Sequence, residues 1–155
     1  MGIADLFNST DEKAIKFLND NEELIKGYIN EYHNSKEFDK GVPYEAKDLL
    51  LCVKGCLLKD YLYQVESKDK EAKYFFKGGF FKDNVIKATK CVYDFFEKID
   101  IGARIERTVP ESQRKGRHKM QLEQAKAAQE SINKIYEYAD RFSAPNQRTN
   151  KKKES

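Results

Sequence analysis

Leu49-Leu50-Leu51-Cys52-Val53-Lys54-Gly55-Cys56-Leu57-Leu58-Lys59-Asp60-Tyr61-Leu62-Tyr63 is the most apolar stretch of this 155-residue chain. Wound at about 100° per residue, the apolar side chains of residues 44–65 leave no wide polar face, which is the pattern of a helix enclosed on most sides. An enclosed helix needs partners, and the flanking sequence supplies amphipathic segments of suitable length. The chain therefore predicts an all-α, single-domain bundle of four principal helices near residues 10–33, 44–66, 83–100 and 109–142, with the second, hydrophobic helix at the centre. Residues 1–143 form the bundle in this reading, and residues 144–155, rich in Asn, Gln, Arg, Thr and Lys, form a disordered basic tail.

Working outward, Ser9 and Glu12 have capping-box spacing and place the first helix start near Thr10. Ala14, Leu18, Ile25, Tyr28 and Tyr32 then recur at helical spacing. Asn19, Asp20 and Asn21 are poor helix formers in the middle of that run, so a kink or a buried polar contact is expected there. Gly55 costs the central helix about 1 kcal/mol relative to Ala, which is tolerable where another helix must come close.

After the central helix comes Tyr74-Phe75-Phe76-Lys77-Gly78-Gly79-Phe80-Phe81, four phenylalanines around a Gly-Gly turn. Its arms are too short for a stable hairpin, and a helix–turn–helix is the expected form. In the third helix Val85, Ala88, Val92, Phe95 and Ile99 make the stripe, with Asp83 or Asn84 as cap and Gly102 as C-cap. Thr108 and Glu111 make a second capping box, with Pro110 placed early in the last helix. That helix has a regular seam of Ala125, Ala128, Ile132, Ile135, Ala139 and Phe142. Its first turns, Glu111 to Lys119, hold no large apolar residue and should project, fray or await a partner.

Composition excludes several classes. With 39% hydrophobic and 35% charged residues, the helices need strongly polar outer faces. No apolar run is long enough for a membrane span. Three cysteines, an odd number set in apolar helical stretches, suit a reducing cytosol and a cytoplasmic protein. Charge is divided along the chain: residues 1–100 carry 16 lysines and no arginine against 19 acids, a net −3, and residues 101–155 carry 13 basic residues against 7 acids, a net +6. An acidic body thus precedes a basic C-terminal third.

Chemistry is sparse. Cys52 and Cys56 share a helical face but have no further ligand nearby, so packing explains them and no metal is expected. Cys91 sits among Ala88, Val92 and Phe95, neighbours that should raise its pKa and leave it inert. His33 falls at a helix C-terminus, where a cation is favourable without any active site. His118, flanked by Arg114, Lys115, Arg117 and Lys119, has the surroundings for acid–base cleavage of RNA. The HEPN ribonucleases have four to six residues between Arg and His; Arg114 and His118 have three between them, so the chain departs from that motif. No phosphate loop, nucleophile elbow, zinc motif or calcium loop is present. No catalytic residue and no cofactor is expected.

Two surfaces remain. Phe75, Phe76, Phe80 and Phe81 either cap the bundle end or offer an apolar patch to a protein or membrane partner. Arg104, Arg107, Arg114, Lys115, Arg117, His118 and Lys119 form a basic segment suited to an acidic protein surface or to nucleic-acid phosphates, or else an inert solubilising face. The expected function is a non-enzymatic protein-interaction module, an adaptor, chaperone-like or regulatory subunit. The alternatives are nucleic-acid binding through residues 104–119 and the tail, and RNA cleavage at His118.

Overall fold

The computed structural model describes residues 3–35 and 46–142. All of the described regular structure is helical: α1 (Ile3–Asp20), α2 (Glu22–Ser35), α3 (Ala46–Glu66), α4 (Gly78–Thr108) and α5 (Arg117–Ala139), with short 3-10 turns at Lys70–Tyr74, Glu111–Gln113 and Asp140–Phe142. The central helix is where the sequence places it. α3 packs against α1, α4 and α5, and Cys52, Val53, Leu57 and Leu58 are fully buried on it. The basic tail, 144–155, lies outside the described residues.

The first expected helix is two helices. Asn21 interrupts it, its backbone N–H and its side-chain Nδ2 both donating to Phe17 O at 3.0 and 2.7 Å. A side chain that competes for a backbone acceptor bends a helix. α1 then packs on α3 while α2 packs on α4. The break is pinned by Lys54, only 3% exposed, whose Nζ donates to Asn19 Oδ1 and Glu22 Oε1, each at 2.6 Å, and lies 4.7 Å from the Phe142 ring centre. A buried ammonium is tolerable only with such partners. The capping box at Ser9 does not start the helix, which begins at Ile3.

Close approach explains two glycines. A Cβ on Gly55 would lie 2.7 Å from Ile135 O and 3.0 Å from Ala139 N, so α3 and α5 touch backbone to backbone as the sequence suggested. Gly102 is a correction. It does not cap α4 but lies buried inside it, where a Cβ would collide with the Ala125 methyl of α5. An apolar run followed by Gly looks the same whether the glycine ends a helix or admits a neighbour.

α4 therefore runs on to Thr108, and the second capping box is lost: Thr108 Oγ1 bonds back to Arg104 O at 2.7 Å. Val109 and Pro110 are extended, and α5 starts at Arg117 rather than at 109. Asp83 and Asn84 likewise do not cap α4, which begins at Gly78 with φ +46°, a conformation that favours glycine. Asn84 Nδ2 instead donates to Phe75 O at 3.0 Å and ties the aromatic turn to α4.

Candidate functional site

At 31 residues, α4 is about 46 Å long, against about 31 Å for α3 at 21 residues. Its last turns run antiparallel to the first turns of α5 as a two-helix arm, closed at Gly102 and Ala125 and with Ile105 buried between the helices. One face of the arm is a groove of about 540 Å³. Ile99, Gly102, Ala103, Leu122 and Ala125 line its floor, and Glu106, Lys119, Glu123, Lys126 and Gln129 line its rims. The spacing explains the lining: Ile99, Ala103 and Glu106 fall on one face of α4, as do Lys119, Leu122, Glu123, Lys126 and Gln129 on α5. The small floor residues let an incoming helix approach closely.

The arm ends in the basic segment. Residues 107–119 carry five basic side chains and one acid, a net +4. These cations are not equivalent. Arg114 is half-buried, and its guanidinium caps the end of α4, Nε donating to Val109 O at 2.9 Å and Nη2 to Glu106 O at 3.1 Å. Its charge satisfies carbonyls that the helix leaves open. Arg104 pairs with Asp100 at 3.3 Å on the exposed side of α4. Arg107, Lys115, Arg117 and Lys119 are exposed and make no ion pair among the described residues. α5 opens on Gly116, φ +57°, with no side-chain cap and no acid in its first turn. The positive end of the helix dipole thus adds to the side-chain cations and favours an anion there.

His118 is half-buried in that first turn, its N–H bonded to Lys115 O at 3.2 Å. Since Arg114 is engaged with carbonyls, it is not free to act beside His118. His33 lies against the middle of α4, its Nδ1 2.9 Å from Tyr93 Oη. Among the described residues no group of three His, Cys, Asp or Glu could hold a metal ion, and no helix is long and apolar enough to cross a membrane.

The aromatic turn divides. Phe75 and Phe81 are buried and Phe76 is partly so; the ring of Phe17 of α1 packs at a tilt on Phe76, centroids 4.8 Å apart, and edge-to-face on Phe81 at 5.2 Å, and Tyr61 of α3 packs at a tilt on Phe76 at 4.7 Å. These three close the bundle end. Phe80 alone of the four faces out, 57% exposed, stacked at 5.6 Å on Tyr74. As a surface for a partner, the turn reduces to Tyr74 and Phe80 with Lys73 and Lys77 over the tyrosine ring.

By its spacing Ile99 belongs to the core stripe, and a helix that ends at Gly102 leaves Ala103 outside it, so the local sequence does not mark a groove. The recoverable signal was the i, i+4, i+7 spacing of Ile99, Ala103 and Glu106 across Gly102. No protein-family model matches the chain, nor does any curated protein or solved structure.

Proposed function

We propose that this protein is an interaction module that captures an amphipathic, acidic helix of a partner protein. The apolar face of that helix lies in the α4–α5 groove, and its carboxylates meet the cations of the arm tip. The observation that carries the reading is the juxtaposition of an apolar floor with a tip of net +4. A helix laid in a groove buries apolar area for affinity, and complementary charge sets orientation and on-rate. This makes the protein an adaptor or regulatory subunit rather than an enzyme.

The test is fluorescence anisotropy with two synthetic helical peptides of identical apolar face, one with a Glu-rich and one with a Lys-rich polar face. The acidic peptide binds tighter, weakens as salt is added, and loses at least about tenfold in affinity to Ala103→Glu, which fills the floor and adds a repelling charge. Equal binding of the two peptides, or an unaffected Ala103→Glu protein with a native circular-dichroism spectrum, removes the proposal.

The four exposed cations at the tip support a second reading, contact with nucleic-acid phosphates. Four such contacts to duplex DNA give a log K against log salt slope of about −3.6. A flat slope, or no binding at low salt to DNA or to single-stranded RNA, removes that reading.

A further inference from the structure

A second surface lies at the other end of α4 from the arm tip. There the chain leaves the 3-10 turn at Lys70–Tyr74 and enters α4 through Gly78 and Gly79, and this reversal lays Phe80 on Tyr74. The two rings stack at 27° with centroids 5.6 Å apart, yet Tyr74 stays 39% and Phe80 57% exposed. The stack has a firm back. Phe75 and Phe81, the chain neighbours of the two rings, are buried in the core, and Asn84 Nδ2 holds Phe75 O. Asp69 Oδ1 accepts the Glu71 N–H at 2.9 Å and so caps the 3-10 turn that carries Tyr74.

Cations stand beside the stack. Lys73 and Lys77, both exposed, place their ammoniums 5.1 and 5.6 Å from the centre of the Tyr74 ring. Lys82 is taken up by Glu31 at 3.0 Å, whereas Lys73 and Lys77 have no carboxylate partner among the described residues. Residues 68–77 carry four lysines against Asp69 and Glu71, a net +2, and the first turn of α4 holds no acid and no side-chain cap. A negative group that approaches the rings therefore meets two ammoniums and the positive end of the α4 dipole.

A flat aromatic stack with ammoniums at its side fits single-stranded nucleic acid, whose bases stack on aromatic rings while the adjoining phosphates meet cations. A bilayer fits less well. It takes up a face of several apolar side chains, and here Phe80 alone of the four phenylalanines faces out, its ring laid on Tyr74. A duplex keeps the faces of its bases in its own stack and offers this surface only phosphates. We propose that Tyr74 and Phe80 form a stacking platform for an unpaired base of single-stranded DNA or RNA, with Lys73 and Lys77 on the phosphates next to it. The arm tip lies at the far end of a helix about 46 Å long, and phosphate contact there reads charge alone. On the platform the base itself is required.

The test is fluorescence anisotropy of the full-length protein at low salt with a short labelled oligothymidine, beside an abasic strand of the same length and charge. Stacking of one base is worth roughly five- to a hundredfold in affinity, so the abasic strand should bind at least about fivefold more weakly. Phe80→Ala should lose about as much with oligothymidine and nothing with the abasic strand, and Phe80→Trp should keep the full affinity. Because Phe80 is exposed, both variants should retain the wild-type circular-dichroism spectrum. Lys73→Ala with Lys77→Ala should make the slope of log K against log salt shallower by about 1.4, at about 0.7 for each phosphate contact on a single strand. Equal binding of the two strands, or binding of neither, would overturn the proposal. Oligothymidine binding that survives Phe80→Ala and is lost with Arg107→Ala, Lys115→Ala, Arg117→Ala and Lys119→Ala would assign the strand to the arm instead. Phe80-dependent binding to phosphatidylserine vesicles, with none to oligothymidine, would make the turn a lipid contact and equally refute the platform.

Discussion

Gly55→Ala and Gly27→Ala are the same chemical change, and the structure gives them opposite signs. Both glycines lie within helices, so both substitutions gain about 1 kcal/mol of helix propensity. At Gly27 the new methyl meets nothing within 4 Å, and that gain should appear whole. At Gly55 the methyl lies 2.7 Å from Ile135 O and 3.0 Å from both N and Cβ of Ala139. Two of these atoms are backbone, which no rotamer change can move, so α5 must shift as a unit. Overpacking of this kind costs about 2–3 kcal/mol, leaving a net loss of about 1–2 kcal/mol. The two variants should differ by about 2–3 kcal/mol, which in a chain of this size separates their melting temperatures by about 4–12 °C. Urea unfolding followed by circular dichroism at 222 nm (the usual helical band) measures both against wild type. If Gly55→Ala proves as stabilising as Gly27→Ala, the backbone contact between α3 and α5 is not as described.

Further outcomes follow from particular contacts. Lys54→Ala removes two charged hydrogen bonds and a buried stem, and should cost about 2–4 kcal/mol in urea unfolding; a loss under about 0.5 kcal/mol would mean that the lysine does not anchor the break at Asn21. Arg114→Ala uncaps α4 and should cost about 1 kcal/mol while changing acidic-peptide affinity less than Arg117→Ala; the reverse order would place Arg114 in the interface. Alkylation of Cys91 by iodoacetamide needs the thiolate, so its rate should be low in acid and rise with pH about a midpoint near 7. In Cys56→Ala, which leaves no donor at that position, the midpoint should move up, toward the ordinary thiol value of about 8.5, and an unmoved midpoint would mean that Cys56 does not hold it down.

What was legible in the sequence was periodic or local. The apolar run of α3 announced a central helix, the Ala125 to Phe142 seam announced α5, and the Asn19 to Asn21 cluster announced a break. What failed depended on partners distant in sequence. Gly102 makes sense only opposite Ala125, and Thr108 with Glu111 reads as a start signal only if α4 has already ended. Arg114 looks like any other cation of its segment, yet its guanidinium lies on the carbonyls of residues 106 and 109. The phenylalanines carried no mark to distinguish Phe80 from its three buried neighbours.

The contacts of Lys54 and Arg141 bear on the engineering of this chain. Arg141 pairs with Asp11 at 3.2 Å, and Lys54 holds residues 19 and 22 under the ring of Phe142. The last described residues therefore pack against the middle and end of α1 beside α3, and a flexible linker of modest length can close the backbone into a ring. A ring can be opened elsewhere: a circular permutant with the ends joined by a flexible linker and new termini in the exposed turn at 111–113 should keep every core contact. Only the link at the tip of the arm would be cut, so such a permutant separates what the bundle needs in order to fold from what a closed arm needs in order to bind.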